Sequence, residues 1–268
     1  MKHFFNIFLA FALVGCATGR GINKGQLNMY NYEQEKEIGK QFSEMVSREF
    51  APLYDYEINA FVDNLGQKLV NVATDPLFEY QFRVFKSDMV NAFTVGGGYV
   101  FVTVGIIDAS PQEAAFAGVV GHEIGHVLSR HVTERLTQQN LLGVATSAIG
   151  GGAAQAVDLF GGLGLLQFGR QNELEADGLG LELITKANYN FNGPREIFKV
   201  LKKLSENQAT VPLLSDLLST HPKPQDRIDR LDKLTANMKH KPKEITDTEA
   251  FKNIKIRAKK YISEKRSS

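Results

Sequence analysis

Three histidines and one glutamate lie within eleven residues, Gly121–His131, of a chain that has six histidines in all. His122 and His126 are four residues apart, so on a helix both imidazoles project from one face, with Glu123 beside them. This H-E-x-x-H spacing is that of two zinc ligands and a general base. The flanking residues are largely apolar, and histidines buried among them without a partner are unfavourable. The stretch therefore predicts a zinc site rather than an exposed polar helix face.

His131 is not expected to bind the metal. It follows His126 by five residues, which is about 140° around a continuous helix, so its side chain points away from the zinc. We expect it to be a surface residue or a residue of the second layer around the site.

The third ligand must then be a distant carboxylate or histidine. Glu173 and Asp177 are i, i+4 on a predicted helix and share a face, whereas Glu175 points roughly the opposite way. An acidic, solvated helix face is the alternative, but beside an incomplete H-E-x-x-H site we predict Glu173 to be a zinc ligand. Zinc-bound histidines usually donate their second N–H to a carboxylate, which is the role predicted for Asp177.

The elements that must position these residues are mainly helical. Ser110, Pro111 and Glu113 are typical of a capping box, so the zinc-binding helix is expected to begin there. Further apolar patterns predict helices over 33–50, 56–72, 111–139, 172–186, 194–207 and 225–238, and strands over 80–85 and 98–104. The predicted fold class is α+β, a mainly helical zincin-type domain with a small β-sheet beside the H-E-x-x-H helix.

Two glycine-rich stretches fall between these elements. Asn91–Gly98 ends in three glycines, which permit a close or strained backbone. The uncharged stretch 141–157 is rich in glycine and alanine and is a poor membrane helix, so we expect a mobile loop or lid near the site.

The N-terminus predicts an exported lipoprotein. Lys2, the apolar run Phe4–Val14 and then Gly15-Cys16 have the layout of a secretory signal, too short to span a membrane. Leu13–Cys16 resembles the lipobox of bacterial lipoproteins, so Cys16 is the predicted lipidation site. In lipoproteins sorted as in well-known Gram-negative bacteria, Ala17 after that cysteine implies the outer membrane.

The composition limits the function classes. The chain has 268 residues, of which 43% are hydrophobic and 23% charged, and its net charge of +1 gives no reason to expect nucleic acid as a partner. The predicted organisation is a signal peptide (1–15), a lipidated tether (16–32), a metallopeptidase domain (33–240) and a charged C-terminal helix (241–268).

These motifs together resemble a known family. H-E-I-G-H followed by E-L-E-A-D is similar to the zinc metallopeptidases that include HtpX and the CAAX prenyl protease, and to their periplasmic BepA- and LoiP-type lipoprotein branch. Asn91-Ala92-Phe93 resembles the family's N-A-F segment, and the residues from His221 to Arg227 resemble its H-P-x-P-x-x-R motif. Gly96 departs from the family, since many relatives have proline there.

The resemblance implies a zinc endopeptidase with one Zn²⁺ per chain and polypeptide substrates. It implies that Asn91, Ala92 and Phe93 bind substrate, with a strand near Asn91–Val104 pairing with the extended peptide. It also places His221 over the zinc site. There His221 either donates to the oxyanion, with Arg227 supporting the charge, or occupies the fourth zinc position as a latch.

Two other function classes remain open from sequence. A lipid-anchored chaperone or assembly factor at the outer-membrane assembly machinery could use the same fold for binding. A structural lipoprotein would leave the catalytic motifs unexplained. The complete set of Glu123 and three ligands favours the enzyme, acting on misfolded or misassembled envelope proteins at the periplasmic face of the outer membrane.

Overall fold

The computed structural model describes residues 26–147, 168–206, 221 and 224–267. Within these ranges the strands are β1 Gln81–Phe85, β2 Ala92–Thr94 and β3 Tyr99–Thr103. The helices are α1 Tyr32–Glu49, α2 Tyr56–Val70, α3 Val104–Ala109, α4 Glu113–Leu128, α5 His131–Ser147, α6 Arg170–Lys186, α7 Gly193–Glu206, α8 Pro224–Thr235 and α9 Glu249–Ser267. This mainly helical architecture with a small sheet confirms the predicted α+β class.

The sheet has the strand order β1-β3-β2, with β3 parallel to β1 and antiparallel to β2. Phe93 lies opposite Phe101, and Val84 lies opposite Val102. β3 is therefore paired on both sides, whereas β2 is an edge strand. The sequence did not predict β2 as a separate strand, because three residues are too few to establish an alternating pattern.

The two faces of the sheet are buried against different partners. Alternation places Val84, Val100 and Val102 in the main core with α2, α4 and α6. The opposite face carries a stack of aromatic rings, with Phe101 centred 5.2 Å from Phe85 and 5.1 Å from Phe93. This second cluster packs against α1 and fixes the orientation of β2 relative to the rest of the sheet.

A three-glycine turn connects β2 to β3. Gly96, Gly97 and Gly98 have φ values of +80°, +61° and +91°, a region that L side chains rarely adopt. Proline has φ fixed near −65°, so it could not adopt the conformation observed at Gly96. Gly96, where many relatives have proline, thus lies in a turn whose backbone conformation favours glycine.

The start of α4 differs from the predicted capping box. Ser110 instead ends α3, where its hydroxyl donates to the Ile106 carbonyl, and α4 begins at Glu113. A distant loop caps α4: Asp247 Oδ1 accepts from the Glu113 amide at 3.1 Å and the Thr246 carbonyl accepts from the Ala114 amide at 3.0 Å. Contacts between residues far apart in sequence thus replace the local cap.

The predicted continuous helix over 111–139 is also wrong. α4 ends at Leu128 and α5 starts at His131, with Arg130 between them in the left-handed region at φ +56°. The Arg130 guanidinium donates to the buried Glu35 carboxylate of α1 at 2.6 Å and to the Tyr30 carbonyl at 2.7 Å. These contacts hold the break in place, and they redirect the side chain of His131.

α4 and α6 approach each other closely because glycines face each other across their interface. A Cβ atom on Gly125 would lie 2.9 Å from the Ala176 carbonyl oxygen, and one on Gly180 would lie 2.9 Å from the backbone amide nitrogen of His122. Real side chains avoid such contacts, so larger residues would separate the helices. This close packing brings the carboxylates of α6 within reach of the histidines of α4.

α9 packs on α2 and α3 through Phe251, Ile254 and Ala258, which are buried in the main core. Asp55 links α2 to α9. It caps α2 by accepting from the Ile58 amide at 3.1 Å, and it accepts from Arg257 at 3.1 Å and Tyr261 at 3.0 Å of α9. Among the described helices, none is long and apolar enough to cross a membrane.

Asp55→Ala is expected to lower the free energy of unfolding by about 2 kcal/mol, the upper end of the cost of losing a helix N-cap. Urea denaturation followed by circular dichroism measures this change. Glu57→Ala is the matched control, because it removes the other carboxylate that Arg257 contacts, on an exposed side chain. Exposed ion pairs contribute little, so the control should unfold as the wild type does. Equal destabilisation by both substitutions would contradict the assigned role of Asp55.

Candidate metal centre and active site

The candidate site lies on the buried face of α4, where His122, Glu123 and His126 follow one another within a single turn and a half. All three residues are at most 5% exposed. The Nε2 atoms of the two histidines converge to 3.0 Å, with the rings edge to face at a centroid distance of 4.6 Å. The helical spacing therefore presents two imidazole nitrogens to one point.

Glu173 of α6 completes this convergence. Its Oε2 lies 3.4 Å from His122 Nε2, and its Oε1 lies 3.4 Å from His126 Nε2. Zinc bonds of about 2.0–2.1 Å in a tetrahedral site separate the ligand atoms by roughly 3.3 Å. Donor atoms of His122, His126, Glu173 and His221 all lie within 4.8 Å of one another. The donor types and their spacing fit zinc.

The charge on Glu173 suits a metal ligand. Burial raises the pKa of its carboxyl, but His221, His122 and His126 outweigh burial and hold that pKa far below its ordinary range. Its Oε2 is buried and accepts no hydrogen bond from the described residues. The carboxylate is thus ionised, with one oxygen available to a cation.

Groups around His122 have opposite effects on its pKa. Burial and the Arg227 charge lower its pKa, but the neighbouring carboxylates of Asp177 and Glu173 outweigh them and raise it to about 9 in the metal-free arrangement. His126 is different, because burial lowers its pKa well below the ordinary value. A metal must therefore displace a proton from His122 but not from His126.

Glu123 is placed to act as a base. Burial raises the pKa of its carboxyl, against the opposing charges of His221 and His122. Its Oε2 is buried without a hydrogen-bond partner in the described part of the chain, and its Oε1 lies 3.9 Å from His221 Nε2. A carboxylate with a raised pKa and a free oxygen is a better proton acceptor than an ordinary one.

His221 joins the cluster from outside the two zinc-site helices. It is 5% exposed, and its Nδ1 lies 2.8 Å from Glu173 Oε1. Its ring centroid is 5.2 Å from that of His122. The structure thus brings His221 among the candidate ligands, although the neighbouring Pro222 and Lys223 lie outside the described residues.

Arg227 and Asp177 form a buried pair behind His122. Arg227 Nη2 donates to Asp177 Oδ1 at 2.5 Å, and the guanidinium lies over the Phe198 ring at 4.1 Å. Asp177 Oδ1 also lies 3.1 Å from His122 Nδ1, and Arg227 Nη2 lies 2.8 Å from the same nitrogen. With a metal on Nε2, His122 Nδ1 would carry the proton and donate to Asp177, and it would then accept no hydrogen bond from Arg227, which is itself a donor. Arg227 is therefore placed to hold Asp177.

The N-A-F segment lies in the sheet. Ala92 and Phe93 belong to β2, and the Phe93 side chain is buried against Phe101 rather than directed outward. Asn91 is 2% exposed, and its Oδ1 makes no hydrogen bond with the described residues. That Asn91, Ala92 and Phe93 bind substrate stays a prediction, and the residues of β2 are at most 5% exposed in this packing.

Sequence reasoning did not find two neighbours of His126. His131 is fully buried, and its Nδ1 lies 2.8 Å from His126 Nδ1, so the predicted alternative of a surface residue is wrong. Phe168 stacks on the His126 ring at a centroid distance of 4.0 Å. The only sequence signal for His131 was a third histidine close to the motif. Its side chain was expected to point away from the site because the helix was assumed to continue without a break.

Some predicted features fall outside the described residues. Cys16 and the signal-peptide region belong to 1–25, and the glycine- and alanine-rich stretch is described only as far as Ser147, where α5 ends.

Comparison with known proteins agrees with this geometry. The sequence profile of Peptidase family M48 matches residues 52–235, more than half of the chain. The putative beta-barrel assembly-enhancing protease of Vibrio cholerae is 29% identical over 73% of this chain and 43% of its own length. The beta-barrel assembly-enhancing protease of Escherichia coli K12 is 27% identical over 73% of this chain and 42% of its own length. The mitochondrial metalloendopeptidase OMA1 of Saccharomyces cerevisiae is 32% identical over 53% of this chain and 43% of its own length.

The chain thus spans less than half the length of these relatives. The family match nevertheless includes α4 and α6, the helices that carry every donor of the cluster except His221, and His221 itself lies within the matched range. The resemblance inferred from the motifs is confirmed: the chain belongs to peptidase family M48.

Proposed function

We propose that this chain is a zinc-dependent endopeptidase that cleaves polypeptides of the bacterial envelope. The observation that carries the proposal is the convergence of four buried metal donors within 4.8 Å, with Glu123 beside them, whose Oε2 has no hydrogen-bond partner among the described residues. A bound zinc ion would supply Lewis acidity, which polarises a carbonyl group and makes water a stronger acid. His122, His126 and Glu173 would hold it.

The chain's own residues supply the proton transfers. Glu123 accepts a proton from the attacking water, and the same carboxyl then delivers it to the leaving amine. Burial favours the first step, since it raises the pKa of Glu123 and so makes its charged form a stronger base. Asp177, held by Arg227, keeps His122 oriented by accepting a hydrogen bond from its Nδ1–H group.

The edge of β2 that bonds to no other strand among the described residues is the proposed substrate-binding element, although the three residues of β2 are at most 5% exposed. β3 is excluded because both of its edges are paired. The Asn91 carbonyl accepts from the Thr103 amide, and the Val95 amide donates to the Tyr99 carbonyl. In an antiparallel pair this pattern directs the backbone groups of Ala92 and Thr94 to the other side. Those groups can pair with an extended peptide with little sequence preference.

Incubation of the zinc-loaded protein with casein tests the proposed reaction. We expect internal fragments in mass spectra, and their loss after zinc is removed with a chelator. Release of single terminal residues alone would contradict an endopeptidase, and fragments that persist without metal would contradict zinc dependence.

The names of the relatives from Vibrio cholerae and Escherichia coli support a substrate class: misassembled outer-membrane β-barrel proteins. Pairing through the β2 edge suits such substrates, whose unassembled strands expose unpaired backbone groups. The same names support the alternative that the chain assists barrel assembly by binding. Glu123→Gln separates the two, since a purely binding role survives that substitution.

We propose that His221 acts as a latch, occupying the fourth donor position until substrate displaces it. The contact of its Nδ1 with Glu173 Oε1, at 2.8 Å, supports this position. His221→Ala is therefore expected to raise the rate of casein hydrolysis, by roughly tenfold if the open state is a minor population of about 10%. Fluorescence of a quenched casein substrate measures the rate.

His240→Ala is the control for His221→Ala, because His240 is an exposed histidine paired with Glu244. It should leave the rate unchanged. A rate that falls in His221→Ala would assign His221 to the oxyanion instead, and an unchanged rate would remove it from the site.

We propose that the protein is anchored to the periplasmic face of the outer membrane through lipidated Cys16. The signal layout and Ala17 support this location. Cys16→Ser is expected to move the protein from the membrane fraction to the soluble fraction and to abolish incorporation of labelled palmitate, because two or more acyl chains suffice for stable anchoring. Unchanged acylation would contradict the anchor.

A further inference from the structure

His131 lies directly behind the His126 ring, although it belongs to the next helix, α5. The break at Arg130 redirects it, so that the two Nδ1 atoms are 2.8 Å apart and the rings meet at 71°. On its far side, His131 Nε2 lies 3.4 Å from Glu175 Oε2. His131 is fully buried, whereas the Glu175 side chain is 21% exposed. A line of hydrogen-bonding groups thus runs from the metal centre to the edge of α6.

The orientation of His126 determines which ring nitrogens of His126 and His131 carry a proton. Its Nε2 faces the donor cluster, 3.0 Å from His122 Nε2 and 3.4 Å from Glu173 Oε1. A ligand nitrogen carries no proton, so the proton of neutral His126 must be on Nδ1. His126 Nδ1 then donates, and His131 Nδ1 must accept. The remaining proton of a neutral His131 is on Nε2, which faces Glu175.

We propose that His131 is a positioning residue that fixes the tautomer and ring orientation of His126 for zinc, with Glu175 fixing the tautomer of His131 in turn. This inference rests on the proposed zinc site. Zinc-bound histidines usually have a carboxylate or a carbonyl directly behind them, and His122 follows that rule with Asp177. His126 has an imidazole interposed between itself and the carboxylate. Phe168, stacked on the other face of His126, restrains rotation of the same ring.

Two variants of nearly equal shape separate hydrogen bonding from packing. Asparagine and leucine both branch at Cγ, but only the asparagine amide oxygen can accept from His126 Nδ1. His131→Leu is expected to weaken zinc binding by about 10–100-fold, as removal of such a partner does. His131→Asn is expected to stay within about threefold of the wild type, because the acceptor is retained.

Zinc affinity is measured on the full chain by competition with a chromophoric chelator, so the readout does not depend on hydrolysis. Equal losses of affinity in the two variants would show that His131 only fills space, and no loss in His131→Leu would also overturn the inference. A wild type that binds no zinc would overturn the proposed function itself, which is a different result from equal variants.

A measurement on the wild type decides the point even if the variants fail to fold. Long-range ¹H–¹⁵N spectra of histidine-labelled, zinc-loaded protein report which ring nitrogen carries each proton. We expect His126 with its proton on Nδ1 and His131 with its proton on Nε2. A proton on Nδ1 of His131 would contradict the proposed arrangement.

Discussion

Glu123→Gln is expected to retain zinc and to lose peptide hydrolysis by about 10²–10⁴-fold, the usual contribution of a general base. The glutamine has nearly the shape of glutamate, so the packing of α4 is preserved. None of the metal donors is altered, because the cluster comprises His122, His126, Glu173 and His221. Only the group that carries the proton is lost. Initial rates of casein hydrolysis at equal zinc content measure the effect.

Zinc content of Glu123→Gln, determined by mass spectrometry of the metal, is the internal control. One zinc per chain together with a large fall in rate supports the assigned role. A variant that hydrolyses casein at nearly the wild-type rate would show that another group carries the proton.

Glu173→Ala is expected to weaken zinc binding on the order of 10³-fold. The apparent free energy of zinc binding in small sites, about 10–16 kcal/mol, is shared among four ligands, so one ligand contributes several kcal/mol. Glu173 is also the residue that meets both zinc-site histidines, at 3.4 Å each. Chelator competition measures the affinity, and hydrolysis should fall with it.

Glu182→Ala is the matched control for Glu173→Ala, because Glu182 is an acidic residue on the same helix whose side chain is 52% exposed and paired with Lys186. It should bind zinc as the wild type does. Unchanged zinc affinity in Glu173→Ala would mean that the third ligand is another residue.

Local patterns predicted most of the elements. The 3.6-residue period gave α1, α2 and α6 to within two residues at each end, since apolar spacing reports directly on which face is buried. The i, i+4 spacings of His122 with His126 and of Glu173 with Asp177 placed each pair on one face. The structure brings these two faces together. The contact between α4 and α6 was inferred only from the chemistry of an incomplete metal site, because no local sequence pattern specifies which helices pack against each other.

The ends of the zinc-binding helix could not be read from sequence, for physical reasons. Ser129 and Arg130 are neither glycine nor proline, so nothing local signals the break. Arg130 adopts its left-handed conformation in a contact with the buried carboxylate of Glu35, which is 95 residues away in sequence. Burial raises the pKa of Glu35 despite the opposing charge of Arg130. The position of His131 behind the metal site depends on this distant contact.

Titration of the metal-free protein with zinc, followed by the rate of casein hydrolysis, tests the central claim most directly. It is carried out in parallel on the wild type and on His221→Ala, so that a closed latch does not conceal activity. Hydrolysis is expected to appear with added zinc and to stop rising at one equivalent per chain. Hydrolysis before zinc is added, or none from either protein at saturating zinc, would contradict it.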